Sequence, residues 1–241
     1  MNKNSYDIEY EIESSHWWFA TRRKLLRSSL LNLHLPPNCL TLDIGCGVGS
    51  NLRILEAMSL NVIGLDQSLY ALSLVRKKLQ LPLINGDLNA LPIRPNSVGL
   101  IIATDILEHL ENDVDGIRQI CRALKEGGIL IVTVPAFKFL WGIQDIVTGH
   151  KRRYSRGEIL SKLGSEKFVV LRSFYFNFFL FFPIFFVRRM LYLLGLRIRS
   201  ENEINFPFIN FLLKAIFSLE PFILKFISFP FGVSIFCVAK K

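Results

Sequence analysis

Between residues 39 and 134 the chain alternates short apolar runs with segments of helical period, a rhythm that constrains the fold more than any other feature. Cys39–Ile44, Asn61–Leu65, Leu81–Ile84, Val98–Thr104 and Gly128–Val134 read as strands, and Asn51–Met58, Leu69–Leu79 and Val114–Leu124 as the helices between them. Strands joined by helix-length connections pair in parallel, and a parallel sheet must be covered on both faces. The expectation is an α/β fold, a mainly parallel sheet with helices on both sides.

The rhythm breaks after Pro135. Residues 136–155 read as a long polar and aromatic connection, Arg156–Leu163 as a short helix, and Lys167–Phe174 and Val233–Ala239 as two more strands, the final one antiparallel. Upstream, residues 14–33 lack Gly and Pro and read as a helix that Pro36-Pro37 stops. One domain spanning 1–241 is expected, with a helical cap at 1–38, a substrate-side connection at 136–166 and a hydrophobic helical insertion at 175–231 before the last strand.

Composition matters most in that insertion. Of 21 phenylalanines, 17 follow residue 172, where 8 Lys/Arg face 3 Glu. The segment Phe174–Phe182 has no polar stripe, and Asn210, Lys214, Ser218 and Lys225 interrupt the next apolar stretch only at helical spacing. A helix that is apolar nearly all round must be buried in protein or lipid. The longest uncharged run, 173–187, contains Asn177 and Pro183 and falls short of the roughly 20 residues a span needs. Extending it takes in Arg188 and Arg189, which are costly within a bilayer. Apolar surface beside Arg188, Arg189, Arg197 and Arg199 suits docking on an anionic membrane surface, with a homo-oligomer interface as the competing use.

At 51% hydrophobic and 20% charged residues, the chain is neither disordered, collagen-like nor a disulfide scaffold. Its net charge of +9 leaves nucleic acid, anionic membrane and acidic substrates open as partners. Nucleic acid is not favoured, because the basic residues form no aromatic-interleaved stripe. Cys39, Cys46, Cys121 and Cys237 form no CxxC pair and no metal spacing with the four histidines, so reduced thiols, a cytoplasmic setting and no metal are expected. The acidic, polar N-terminus has no signal-peptide pattern.

Leu42–Gly49, LDIGCGVG, stands where the first strand gives way to a helix. Glycines at alternate positions let backbone turn tightly and approach a ligand, and the helix start offers free N–H groups. The spacing is GxGxG with Ser50 following, unlike the GxGxxG of dinucleotide sites. Asp66 ends the next strand seventeen residues after Gly49, where a carboxylate can accept both ribose hydroxyl protons. Asp87 follows the third strand, placed to reach an adenine amino group.

With Gly64-Leu65-Asp66, Gly86-Asp87, Thr104–His109 and Leu124–Leu130, this loop resembles the class I S-adenosylmethionine-dependent methyltransferases from about residue 40 to 135. Gly99 departs from the Asp usual there. The resemblance implies a Rossmann-like fold with S-adenosylmethionine as cofactor. It implies contacts from Gly45, Gly47 and Gly49, the ribose on Asp66, the adenine on Asp87 and Leu88, and Asp43 and Asp105 completing the set. A narrower resemblance, to a bacterial subgroup that accompanies membrane-linked glycan or lipid pathways, rests on Glu13-x-x-His16-Trp17-Trp18-Phe19-x-x-Arg22-Arg23 and on Trp141-Gly142 through Gly149-His150-x-Arg152-Arg153-Tyr154-Ser155.

Methyl transfer to oxygen or nitrogen calls for alignment, water exclusion and often a base. His109 and His150 are the candidate bases, Asp145 and Tyr154 stand beside His150, and Arg152, Arg153 and Trp18 are candidate substrate contacts. A helix-start hydrogen bond for His109 and a loop-stapling one for His150 are the plainer alternatives. The expected function is O-methylation of a small, lipid-linked or amphiphilic acceptor by an enzyme peripheral to the inner membrane face. RNA or protein methylation, and a non-catalytic cofactor-binding or membrane-scaffold subunit, are the competing readings.

Overall fold

A computed structural model describes residues 3–36, 38–194 and 206–241. Seven strands form one sheet: β1 (Leu40–Ile44), β2 (Asn61–Asp66), β3 (Leu83–Asn85), β4 (Val98–Thr104), β5 (Leu124–Pro135), β6 (Val169–Phe176) and β7 (Ser234–Lys240). Their order is β3-β2-β1-β4-β5-β7-β6. Only β7 runs antiparallel, between β5 and β6. The order reverses beside β1, whose Leu42 pairs with Ile63 of β2 on one side and Ile101 of β4 on the other. Crevices that bind ligands open at the carboxyl ends of strands at such a point.

Period-two alternation divides the core between the sheet's faces. Leu42, Ile101 and Leu130 pack with Ile117 and Ile120 of α5 (Asp113–Ala123) and Ile159 and Leu163 of α7 (Arg156–Ser165). Leu100, Ile102, Ile131, Phe174 and Phe236 face the other way. They meet Leu25 and Leu26 of α2 (Trp17–Leu31), Leu52 and Leu55 of α3 (Ser50–Ala57), and Leu72 and Val75 of α4 (Leu69–Arg76). The Phe174 and Phe236 rings stack at 5.1 Å across neighbouring strands.

Three elements depart from expectation. An additional helix, α1 (Lys3–Ile12), buries only Tyr6, so its apolar period is too weak to see. Residues 136–155 carry a short helix, α6 (Ile143–Thr148), after a single turn at Lys138–Leu140. Strand β6 extends through Phe176, so the insertion starts at Asn177 and not at 175. Here Glu220 is buried and accepts from the Asn177 and Phe179 amides at 2.6 and 3.0 Å, tying the insertion to the strand end. Burial pushes its carboxyl up to about 7.

The insertion forms α8 (Phe181–Leu193), α9 (Pro207–Phe217) and α10 (Glu220–Ile223). Several of its polar groups turn inward. Asn210 Oδ1 accepts from the Trp17 amide at 2.7 Å, its amide nitrogen donates to Ser15 O at 3.2 Å, and Lys24 Nζ reaches Ser218 Oγ at 3.0 Å. Phe182, Phe186 and Met190 of α8, and Phe208, Phe211, Leu212, Leu219, Phe222 and Phe226 beyond, are exposed. No helix among the described residues is long and apolar enough to cross a membrane. Arg188, expected on a basic rim, points inward instead and donates to Leu140 O at 2.6 Å. Arg189 is exposed, while Arg197 and Arg199 lie outside the described residues.

Candidate active site

A cleft of about 570 Å³ opens at the carboxyl ends of β1, β2 and β4, under α1 and α2 and beside the insertion. Its floor is the glycine loop. Gly45 and Gly47 have φ of 69° and 52°, a region that penalises side chains. A Cβ at Gly45 would also lie 2.8 Å from Ile106 Cδ1. The Gly45 and Cys46 amides donate to Leu65 O at 2.8 and 3.0 Å, and the Gly47 amide to Asp66 Oδ2 at 2.9 Å. Asp66 Oδ1 accepts from Ser68 N at 2.8 Å, so each oxygen has taken one backbone N–H and keeps a second lone pair. Burial raises the Asp66 carboxyl above its usual range.

Asp87 stands exposed on the rim, accepting from the Asn89 amide at 2.9 Å, with Leu88 lining the cleft beside it. Asp105 lines the opposite side, held by Thr133 Oγ1 at 3.0 Å and by Arg22 at 2.7 Å. Two residues of the expected cofactor set lie behind the cleft wall. Gly49 starts α3 at φ 89° and packs toward Val75. Asp43 is fully buried, accepts from Asn51 Nδ2 at 3.3 Å, leaves Oδ2 unpartnered, and is pushed by burial to about 7.

The roof is the N-terminal cap, pinned by Glu13. This buried carboxylate meets Arg23 at 3.2 Å, Arg53 at 2.9 Å and Lys78 at 3.4 Å, fastening the cap to α3 and the end of α4. His16 Nδ1 accepts from the Trp18 amide at the start of α2, and burial lowers the ring to about 4, so it stays neutral. Both Trp17 and Trp18 line the cleft. Trp18 stacks on Phe176 and Phe217, each at 5.9 Å, with the Arg22 guanidinium over its ring at 5.5 Å.

A polar pole closes the far side. His150 Nδ1 lies 2.7 Å from Asp145 Oδ1, which also accepts from Arg153 Nε at 2.8 Å, while Asp145 Oδ2 accepts from the Gly142 amide. Burial opposes the charge on Asp145, yet His150 and Arg153 hold its carboxyl down at about 2. The ring of His109 meets that of His150 edge-on at 4.8 Å, and burial, followed by the nearness of His150, pushes His109 down to about 4.

Beside them lies Glu108, fully buried, with neither oxygen hydrogen-bonded. Burial and the Asp105 charge push it well above the carboxylate range. Glu108 was not among the residues expected in the site. Its one signal is a carboxylate directly preceding a histidine at the carboxyl end of a strand.

Of the residues expected beside His150, Arg153 lines the cleft and also donates to Ala136 O at 2.9 Å. Tyr154 and Arg152 do not line it. The Tyr154 hydroxyl donates to Asp113 at 2.7 Å in the core, and burial pushes its phenol upward, away from acid–base use. Arg152 donates to the Leu110 and Glu111 carbonyls at 2.9 and 2.7 Å and pairs with Asp113 at 3.3 Å, which makes it a structural tie. From the insertion, Asn177, Ile184 and Arg188 enter the wall, and the Asn177 side-chain amide is buried without a partner.

Residues 42–132 match the family described as "Methyltransferase domain". A solved S-adenosylmethionine-dependent methyltransferase from Mesorhizobium loti superposes with a TM-score of 0.60 at 15% identity, over 90% of this chain and 96% of that one. The fold is that of the Rossmann-like methyltransferases. Among curated relatives, a Mycobacterium tuberculosis protein named "Probable S-adenosylmethionine-dependent methyltransferase" is 25% identical over 129 residues, 52% of this chain and 45% of that protein. A rice protein named "2-methyl-6-phytyl-1,4-hydroquinone methyltransferase 1, chloroplastic" is 28% identical over 138 residues, 55% of this chain and 41% of that one. The chain spans about half the length of the curated relatives it matches.

Proposed function

We propose that the chain is an S-adenosylmethionine-dependent methyltransferase that methylates an oxygen of a lipid-linked or amphiphilic small molecule at the inner face of the cytoplasmic membrane. The observation that carries the acceptor class is one insertion with two sides. Ile184 and Arg188 form part of the cleft wall, while neighbouring Phe182, Phe186 and Met190 present an apolar face outward. Such a face beside a cleft suits an acceptor with an apolar tail. The rice relative, by its name, acts on a phytylated hydroquinone.

The residues fit the cofactor. The glycine loop leaves open space at Gly47, and Asp66 keeps a lone pair on each oxygen for ribose hydroxyls. Asp87 and the Leu88 backbone would take the adenine. When bound, the cofactor supplies a methyl group on a sulfonium sulfur. The chain's own part is to align the acceptor, limit water under Trp17 and Trp18, and ease removal of an acceptor hydroxyl's proton beside the Glu108, His109 and His150 pole.

The test pairs binding with label transfer. D66A should weaken S-adenosylhomocysteine binding by about 30- to 100-fold, the effect of losing charge-assisted hydrogen bonds; unchanged affinity removes the cofactor assignment. Methyl label incubated with fractionated cell extract should enter the lipid fraction, and label confined to RNA or protein would overturn the acceptor class.

A further inference from the structure

We infer that Glu108, His109 and His150 form a binding site for a first-row divalent cation, open toward the cleft. Each offers one ligand atom, and the three atoms lie within 4.8 Å of one another. Two imidazoles and one carboxylate on one side of an open position are a donor set suited to zinc, manganese, iron or cobalt. Calcium and magnesium prefer all-oxygen sites. The cysteine and histidine spacing gave no hint of this, because the carboxylate and the second histidine are 42 residues apart.

Three observations favour a cation over a simple side-chain cluster. Both Glu108 oxygens are buried without a hydrogen bond, and a carboxylate in that state is costly unless a cation lies close to it. A carboxylate can only accept, so the 2.7 Å contact with Asp145 makes His150 donate from Nδ1. In the neutral ring the Nε2 lone pair then faces Glu108. A histidine fixed by a carboxylate behind it is the usual outer-shell support of a metal ligand.

The remaining distance is also informative. His150 Nε2 lies 3.7 Å from Glu108 Oε1. An imidazolium bridging the two carboxylates would close to about 2.8 Å. Ligands about 2.0–2.1 Å from a tetrahedral cation stand about 3.4 Å apart. The observed gap is nearer the second value.

The site's catalytic consequence rests on the methyl-transfer reading; cation binding itself does not. An acceptor hydroxyl bound at an open position would lose its proton to water near neutral pH. Its oxygen lone pair would then form the bond to the methyl carbon. The carbon–sulfur bond breaks, and its electron pair stays on sulfur, leaving a neutral thioether.

The test uses the full chain, stripped with chelator, loaded with Co²⁺ and dialysed. Close to one Co²⁺ per chain, with visible d–d absorption, is expected. E108Q and H109N should each weaken cobalt binding at least about tenfold. Melting temperature is read alongside, and if E108Q does not fold, H109N carries the comparison. A wild-type chain that retains no cobalt, or variants that bind it as tightly, would overturn the site. S-adenosylhomocysteine titration of the wild type separates the two readings. Cobalt bound by a chain that does not bind S-adenosylhomocysteine upholds the cation site and removes the methyltransferase reading, while the reverse removes the cation site alone.

Discussion

The sheet core and the insertion draw on the same residue, phenylalanine, and use it in opposite ways. Phe236 in β7 is 1% exposed and stacks between strands; Phe211 in α9 is 71% exposed. What separates them is where the polar partners lie. In the sheet, backbone groups are consumed by neighbouring strands and the rings fill the space against α2 and α3. In α9 the polar atoms of Asn210 and Ser218 are consumed by the cap, which leaves the rings outside. An apolar residue needs an apolar neighbour, but the hydrogen bonds of its element decide which side it can look for one.

The largest effect that sharpens this contrast is F236A. A buried ring lost from a packed sheet should cost about 3–5 kcal/mol, read as a lower urea midpoint. The triple variant F208S/F211S/F222S should leave that midpoint within about 0.5 kcal/mol per site. In vesicle flotation with anionic lipid, however, it should partition at least about 100-fold more weakly, given some 2 kcal/mol per inserted ring. A midpoint that falls as far as for F236A would mean that those rings are buried against protein after all.

Next in size is a pH effect at the join between the two regions. Glu220 titrates near 7 in the fold against an ordinary 4.5, so between those values the folded chain holds more proton than the unfolded one. Glu220's share of the stability should therefore fall as pH rises from about 5 to 7, by on the order of 1–3 kcal/mol, and E220Q should lower the slope by that share while leaving the part due to Asp43, which burial also raises to about 7. A slope unchanged in E220Q assigns all of it to other groups. The smallest effect is expected for N210A, which removes two bonds between α9 and the cap and should cost about 1–2 kcal/mol in thermal melts.

The sheet was legible because buried parallel strands are continuous apolar runs, and the glycine loop because its backbone conformation restricts the residue type. Helix α1 was not, since one buried tyrosine in ten residues makes no period. The site was legible only in part. Asp66, Asp87 and His150 lie in local motifs that a linear reading can weigh. Glu108 became visible only when the fold brought His150 beside it. Arg188 read as part of a basic rim and Arg152 as a substrate contact, yet each is turned toward backbone carbonyls distant in sequence. Tyr154 sits next to the right loop but points through it, because alternate positions along extended backbone face opposite ways.

The 2.7 Å bond from the Trp17 amide to Asn210 joins the roof of the cleft to the helix with the outward rings. If a surface steadies α9, this bond carries part of that free energy to the roof above the glycine loop, and the coupling is reciprocal. A molecule beneath the tryptophans would then bind more tightly to a surface-attached chain. By the same free energy, a loaded chain would cling to that surface more tightly than a bare one.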